Sequence, residues 1–211
     1  MNFSADVLSI PGYVQDNTTY KEEGANDLMW FSCTNPYDKQ AEEIVTKMKH
    51  ACSWITINVA GNAVTAGNWT LNSLVVKNIA HKGNAECGSE KASWGAHDNY
   101  SDEAYYNVAS GTTFTTSLTK YENNANNFIV IPQTPTALEV TYTYESDPVN
   151  HTSFTETKEI SLDWDGADGN KSWESGVHYI YNITITTTEI LIDPVVTSWT
   201  EVNNTNTSTT I

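Results

Sequence analysis

Positive charge is scarce in this chain. Ten Lys and Arg stand against 26 Asp and Glu, a formal net charge of −16. That balance argues against nucleic acid as a partner, because phosphate recognition needs a basic face. It disfavours an anionic membrane surface for the same reason. Cysteine is sparse too, at Cys33, Cys52 and Cys87. An odd number at these spacings fits no zinc pattern and allows one disulfide at most, so cysteine does not hold the fold. Long apolar runs are missing, and stretches such as Phe128–Ile131 fall far short of a membrane span. The first thirty residues lack the basic start and apolar run of a secretory signal. Taken literally, that absence would place the chain in the cytoplasm, against its composition.

Catalytic patterns are absent as well. His50, His81, His97, His151 and His178 never fall at a ligand spacing such as His-x3-His. There is no Gly-x-Ser-x-Gly elbow, His-Glu-x-x-His helix or Gly-rich phosphate loop. Carboxylate pairs abound, as in any chain this acidic, and none stands out as an acid and base. The expectation is a protein that is not an enzyme and has no cofactor.

What is present is β-forming and polar. A chain of 211 residues with 39% hydrophobic content can build a sizeable core, burying roughly 70% of its unfolded surface without staples. It carries 29 Thr and 22 Asn, 51 residues or about a quarter of the chain. Thr with Tyr, Trp and Val suits pleated, half-exposed surface, and Asn suits turns. This is the look of an all-β extracellular protein with a neutral hydrophilic skin.

The periodicity agrees. Ile55, Ile57 and Val59 alternate with Trp54, Thr56 and Asn58, a strand with one buried face. Leu138, Val140, Tyr142 and Tyr144 alternate, as do Ile160, Leu162 and Trp164, then Tyr179, Tyr181, Ile183 and Ile185. Residues 70–79 read as a strand with an apolar patch at Leu74–Val76, and residues 190–199 close the set. Met1–Ile10 reads as one strand, and 11–27 as loop. Residues 39–50 fit helix or strand, and a loop leading into a strand is the preferred reading. Residues 81–112 read as loop with short edge strands, and 163–173 as a hairpin connection. Short strands without a convincing helix indicate an antiparallel β-sandwich.

Two further patterns invite ligands. Asp163 to Glu174 has the length of a calcium loop, yet Ala167 and Asp168 stand where a ligand and Gly belong, so an acidic turn is the simpler reading. Seven Trp and eleven Tyr suggest stacking on sugars, against the simpler role of core packing. Trp54, Trp164 and Trp199 lie at strand positions and favour the core, whereas Trp69, Trp94 and Trp173 lie near turns as candidate contacts. Nine Asn-x-Ser/Thr sequons occur, but about half that number is expected by chance at this composition, so glycosylation is not established.

An ordered set of motifs runs over much of the chain. It comprises Asp27-Leu-Met-Trp30, His50-Ala-Cys-Ser-Trp-Ile-Thr-Ile-Asn-Val59 and Ile129-Val-Ile-Pro132-Gln133. It continues with Trp173-x-x-Gly176-x-x-Tyr179-x-Tyr181-x-Ile183 and Ile190-x-Ile-x-Pro-x-Val196-x-x-Trp199. This set resembles the fimbrillin family of Bacteroidetes, the major and minor fimbrial subunits. The resemblance implies a transthyretin-like antiparallel sandwich, the fimbrillin C-terminal domain, over 43–211, with 1–42 the remnant of an N-terminal β-domain. It implies export to the outer membrane and a cell-surface fimbria, with the family's lipoprotein signal peptide absent from this chain. The function it implies is a structural subunit or tip adhesin that binds other fimbrial subunits by strand exchange. Host proteins or glycans are further candidate partners, and a secreted carbohydrate-binding module is the alternative. His50, Pro132, Gln133, Trp173, Gly176, Tyr179, Tyr181 and Trp199 would be structural motif residues. The polar tail, through Thr200, Val202, Thr205, Thr207, Thr209 and Ile211, would be the donor strand, mobile in the isolated subunit.

With no disulfide framework and a defective calcium loop, neither EDTA nor dithiothreitol is expected to lower the melting temperature, measured by calorimetry with and without each reagent.

Overall fold

A computed structural model describes residues 2–4, 7–15, 27–31, 46–61, 68–88, 90–114, 119–120, 128–147, 149–150, 152–162, 172–186, 189–198 and 202–204. The strands are β1 (Asn2–Ser4), β2 (Val7–Val14), β3 (Met29–Trp30), β4 (Thr46–His50), β5 (Ser53–Gly61), β6 (Asn68–Cys87) and β7 (Ala92–Phe114). They continue with β8 (Thr119–Lys120), β9 (Phe128–Val130), β10 (Ala137–Asp147), β11 (Thr152–Ser161), β12 (Val177–Ile185), β13 (Ile190–Ser198) and β14 (Val202–Asn204).

Two sheets face each other across one core. The first runs β1-β2-β6-β10-β11, with β7 on the other edge of β6. The second runs β13-β12-β5-β8, with β9 also on β5. A small third sheet joins β14, β4 and β3. Pairing among the described strands is antiparallel except between β5 and β12. The fold is therefore an all-β, largely antiparallel sandwich.

Alternation fills the core from both sides. Ile55, Ile57 and Val59 of β5 and Tyr179, Tyr181, Ile183 and Ile185 of β12 meet Leu138, Val140 and Tyr142 of β10. Burying each aliphatic side chain there contributes about 1.5–3 kcal/mol. In β6 the inward positions change parity, from Trp69 and Leu71 to Leu74 and Val76, then to Ile79. The changes coincide with register shifts between Leu71 and Ser73 and between Val76 and Ile79. A bulge adds one residue to one strand and so turns the following side chains to the other face.

Three expectations need correction. Asn2–Ser4 and Val7–Val14 form two strands, β1 and β2, paired with Ser4 opposite Val7, rather than one strand followed by loop. Residues 81–112 are the body of a long β6–β7 hairpin, not loop. Its bulges break the alternation, and its solvent side carries polar residues. β11 and β12, the strands on either side of 163–173, lie in different sheets and so do not form a hairpin, while residues 163–171 lie outside the described residues. At the far end of the long hairpin a second apolar cluster gathers Trp30, Ala51, Cys87 and Ala92, with Leu8, Ile10, Leu28 and Trp94 against it. Cys52 and Cys87 are free buried thiols, and burial pushes both up in pKa.

The register separates the three neighbours in the Leu74–Val76 patch. Leu74→Ala is expected to cost about 2–5 kcal/mol, as a buried large-to-small change. Val75→Thr, on the opposite face, is expected to stay within about 0.5 kcal/mol, as surface changes do. Urea unfolding of both variants measures the contrast.

Candidate functional site

The Trp173–Tyr181 motif closes on itself through side chains. Trp173 is 1% exposed, and its indole Nε1–H donates to the Tyr181 hydroxyl at 2.8 Å. The Tyr181 hydroxyl in turn donates to the Leu162 carbonyl at 3.3 Å. Tyr179 lies on the same face of β12, two residues earlier. Its hydroxyl accepts the Glu174 amide at 2.9 Å and donates to the Ser172 carbonyl at 3.3 Å. Gly176 has φ +70, a conformation that side chains disfavour, and its amide donates to the Cys52 carbonyl at 2.9 Å. The glycine thus lets the chain turn against the start of β5.

Pro132 and Gln133 follow β9 and tie this unit to the first sheet. The Gln133 carbonyl accepts the Trp173 amide at 2.8 Å. Its side chain is buried, with Oε1 accepting the Ala80 amide at 2.7 Å and Nε2 donating to the Asn78 carbonyl at 2.9 Å. Those two backbone groups lie where β6 has lost one neighbour and not yet gained the next. β10 pairs with β6 up to Val76, and β2 pairs from Lys82. The amide of Gln133 fills the interval as a strand would.

His50 ends β4 opposite Met29 of β3 and is buried. Its Nδ1 meets the Asp27 carboxylate, so the first two motifs touch directly. Burial pushes the Asp27 carboxyl up, with the His50 hydrogen bond opposing the shift.

Beside this unit a cleft of about 440 Å³ opens between the start of β7 and the loops at 132–134 and 172–175. Trp94, His97 and Tyr100 form its β7 wall. The His97 Nε2–H donates to the Pro132 carbonyl at 2.8 Å, and the Trp94 indole donates to the Ala51 carbonyl at 2.7 Å. The Thr134 and Ser172 hydroxyls pair at 2.8 Å, and Lys91 faces Glu174 at 3.7 Å. Asn78, Ala96 and Asn99, the non-glycine residues with positive φ among those described, lie in or next to this wall. A register shift between Lys82 and Asn84 places Ala96 and His97 in a bulge. Bulges commonly re-aim a side chain beside a functional site.

Of the motif residues, His50, Pro132, Gln133, Trp173, Gly176, Tyr179 and Tyr181 converge on this unit and its edges, while Trp199 lies outside the described residues. Among the tail positions, Val202 sits in β14 opposite Met48, and Thr200, Thr205, Thr207, Thr209 and Ile211 lie outside the described residues. The expected mobility of the tail falls on those positions. Most of the acidic 163–174 segment lies outside them too, and Glu174 is engaged with Lys91. No cluster of three metal-ligating side chains occurs among the described residues. Trp69 and Trp173, expected near turns as ligand contacts, belong to the core. Trp54, expected in the core, lies on the outer face of β5 and stacks on His178 with centroids 3.6 Å apart. His97 and Tyr100 carry no motif, and they fall in the 81–112 stretch that the sequence marks as loop with short edge strands.

A comparison with protein families matches the fimbrillin-like family over residues 2–199. The chain belongs to the fimbrillin-like family. That family is one of fimbrial structural and adhesion proteins. No curated protein matches the chain by sequence. Among solved structures, a Bacteroides uniformis protein provisionally assigned to cell adhesion is similar at TM-score 0.54 and 16% identity, over 92% of this chain and 67% of that one. A fimbrial protein from Bacteroides vulgatus is similar at TM-score 0.52 and 17% identity, over 74% of this chain and 56% of that one. The chain therefore spans about two thirds of the first and little over half of the second. At these identities the likeness establishes the shared fold.

The Gln133 amide is the testable joint of this fimbrillin-like fold. Gln133→Leu leaves the Ala80 amide and Asn78 carbonyl without partners, at an expected cost of about 1–3 kcal/mol. Faster amide exchange at Ala80, measured by NMR, should accompany the drop in unfolding free energy.

Proposed function

We propose that the protein is a subunit of a cell-surface fimbria, in the shaft or at the tip, assembled by β-strand exchange. The observation that carries this reading is the family match over residues 2–199. In this reading residues 43–211 form the C-terminal sandwich, 1–42 derive from an N-terminal β-domain, and the protein is exported to the outer surface.

The sheet edges support an exchange mechanism. Among the described residues β7, β11 and β13 each keep one edge without a strand partner. Such edges present unpaired backbone groups, and natural sheets guard them with bulges, proline or charge. β7 is bulged, and β13 carries Pro194, which removes a ladder donor. β11 pairs regularly with β10 from Ser153 to Ser161 and is guarded only by Glu156, Lys158 and Glu159. Its Phe154 is 56% exposed. β11 is the edge best suited to accept a strand, through backbone hydrogen bonds with alternate side chains setting register.

The donor in this proposal is the tail, with Thr200, Val202, Thr205, Thr207, Thr209 and Ile211 along the added strand. Val202–Asn204 pairs with β4 through three residues, a short contact that donation would exchange for a longer one. Deletion of 203–211 in a strain that builds the fimbria tests the role. The expected result is shortened or absent polymer with an unchanged melting temperature of the isolated subunit. Polymer of normal length would reject the donor role.

A further inference from the structure

We propose that the cleft between β7 and the 132–134 and 172–175 loops binds the end of a neutral oligosaccharide. This site is separate from the β11 edge proposed for strand exchange. It therefore adds a ligand to the fimbrial reading without depending on it.

The cleft volume of about 440 Å³ falls within the usual range of ligand pockets, about 300–1,000 Å³. Its chemistry is mixed in the way a sugar requires. A pyranose presents C–H faces to an aromatic ring and hydroxyls around its rim. Tyr100 offers the ring: it is 48% exposed on the edge strand β7. Trp94 backs the same wall, with its ring close over Gly83, where an added Cβ would meet the ring at 3.0 Å. That close approach and the indole bond to Ala51 fix the Trp94 ring in place. Aromatic side chains suit such a role because they offer a large apolar face with one polar tip.

The hydrogen-bonding side lies opposite. The Thr134 hydroxyl, paired with that of Ser172, can also accept from a ligand. Asn78 adds an amide at the same end. Lys91 and Glu174 face each other at 3.7 Å and largely offset one another in charge. Among the described lining residues no excess positive charge remains to hold a sialic acid or sulfate, and the net charge of −16 repels acidic sugars at longer range. The lining therefore selects neutral sugars.

The backbone of the β7 wall supports the assignment. Ala96 has φ +51 without a side chain able to offset the cost locally. The bulge at Ala96–His97 turns His97 onto the Pro132 carbonyl, and the exposed Tyr100 lines the same cleft. Strained backbone of this kind clusters at ligand sites.

The test uses the intact chain on a glycan array that prints neutral mammalian-type oligosaccharides, their sialylated and sulfated counterparts, and neutral plant oligosaccharides. Ligands found there are then titrated by calorimetry, and the mammalian and plant arms distinguish the source. The expected result is binding to neutral glycans, with affinity reduced roughly tenfold in Tyr100→Ala, the loss of one aromatic contact. Thr134→Asp, which brings a charge to the hydroxyl side, should weaken the same ligands. Both variants should melt like the parent, and Tyr100→Ala should still enter fimbriae of normal length. That last readout separates failure of this site from failure of strand exchange. Binding to no neutral glycan would overturn the proposal. So would a preference for acidic counterparts, binding unchanged in both variants, or capture of peptides in place of sugars.

Discussion

A buried backbone amide or carbonyl must find a hydrogen-bond partner, and among the described residues two strand edges, on β6 and β5, are left incomplete. Gln133 closes the more consequential gap. On β6, one edge belongs to β7 along its length, so β10 and β2 share the other in tandem. The interval between them leaves Asn78 and Ala80 facing no strand, and one glutamine side chain bonds both. The carbonyl of the same residue holds Trp173, and Trp173 holds Tyr181. The two sheets are thereby joined through polar contacts inside an otherwise apolar sandwich. A satisfied buried polar group fixes geometry, because any other arrangement leaves it unpaired.

The second gap follows the same logic. β5 pairs with β9 through Ile55 and with β8 from Asn58. The Ile57 amide falls between them and donates to the Tyr105 hydroxyl at 3.0 Å. Tyr105 comes from β7 in the facing sheet and packs on Phe128 of β9. Short strands arranged in tandem thus need side chains from the opposite sheet to complete their edges. Surface ion pairs such as Lys77 with Asp102 and Glu139 add little by comparison, as exposed charges are screened.

The readable part of the sequence was the part with strict alternation. β5, β10 and β12 follow the period of two closely enough that their inward residues are evident from spacing. The long hairpin was not readable, because bulges in β6 and β7 reverse the inward parity and no single period survives. The motif residues could be identified by type and order, but their partners could not. Gln133 works through Asn78 and Ala80, more than fifty residues away, and nothing local marks that gap. The cleft was least visible of all. Trp94 stood out among aromatic residues near turns, whereas Tyr100 and His97 owe their positions to a strained bulge that has no sequence signature.

Cohesion rests on the motif residues, and the proposed partner contacts fall at the periphery. The account is tested most directly by comparing backbone amide exchange in the isolated subunit and in assembled fimbriae. It predicts new protection along β11, residues 152–161, and in the tail beyond 200, with the 172–181 segment equally protected in both states. Unchanged exchange along β11, with altered exchange in 172–181, would contradict it.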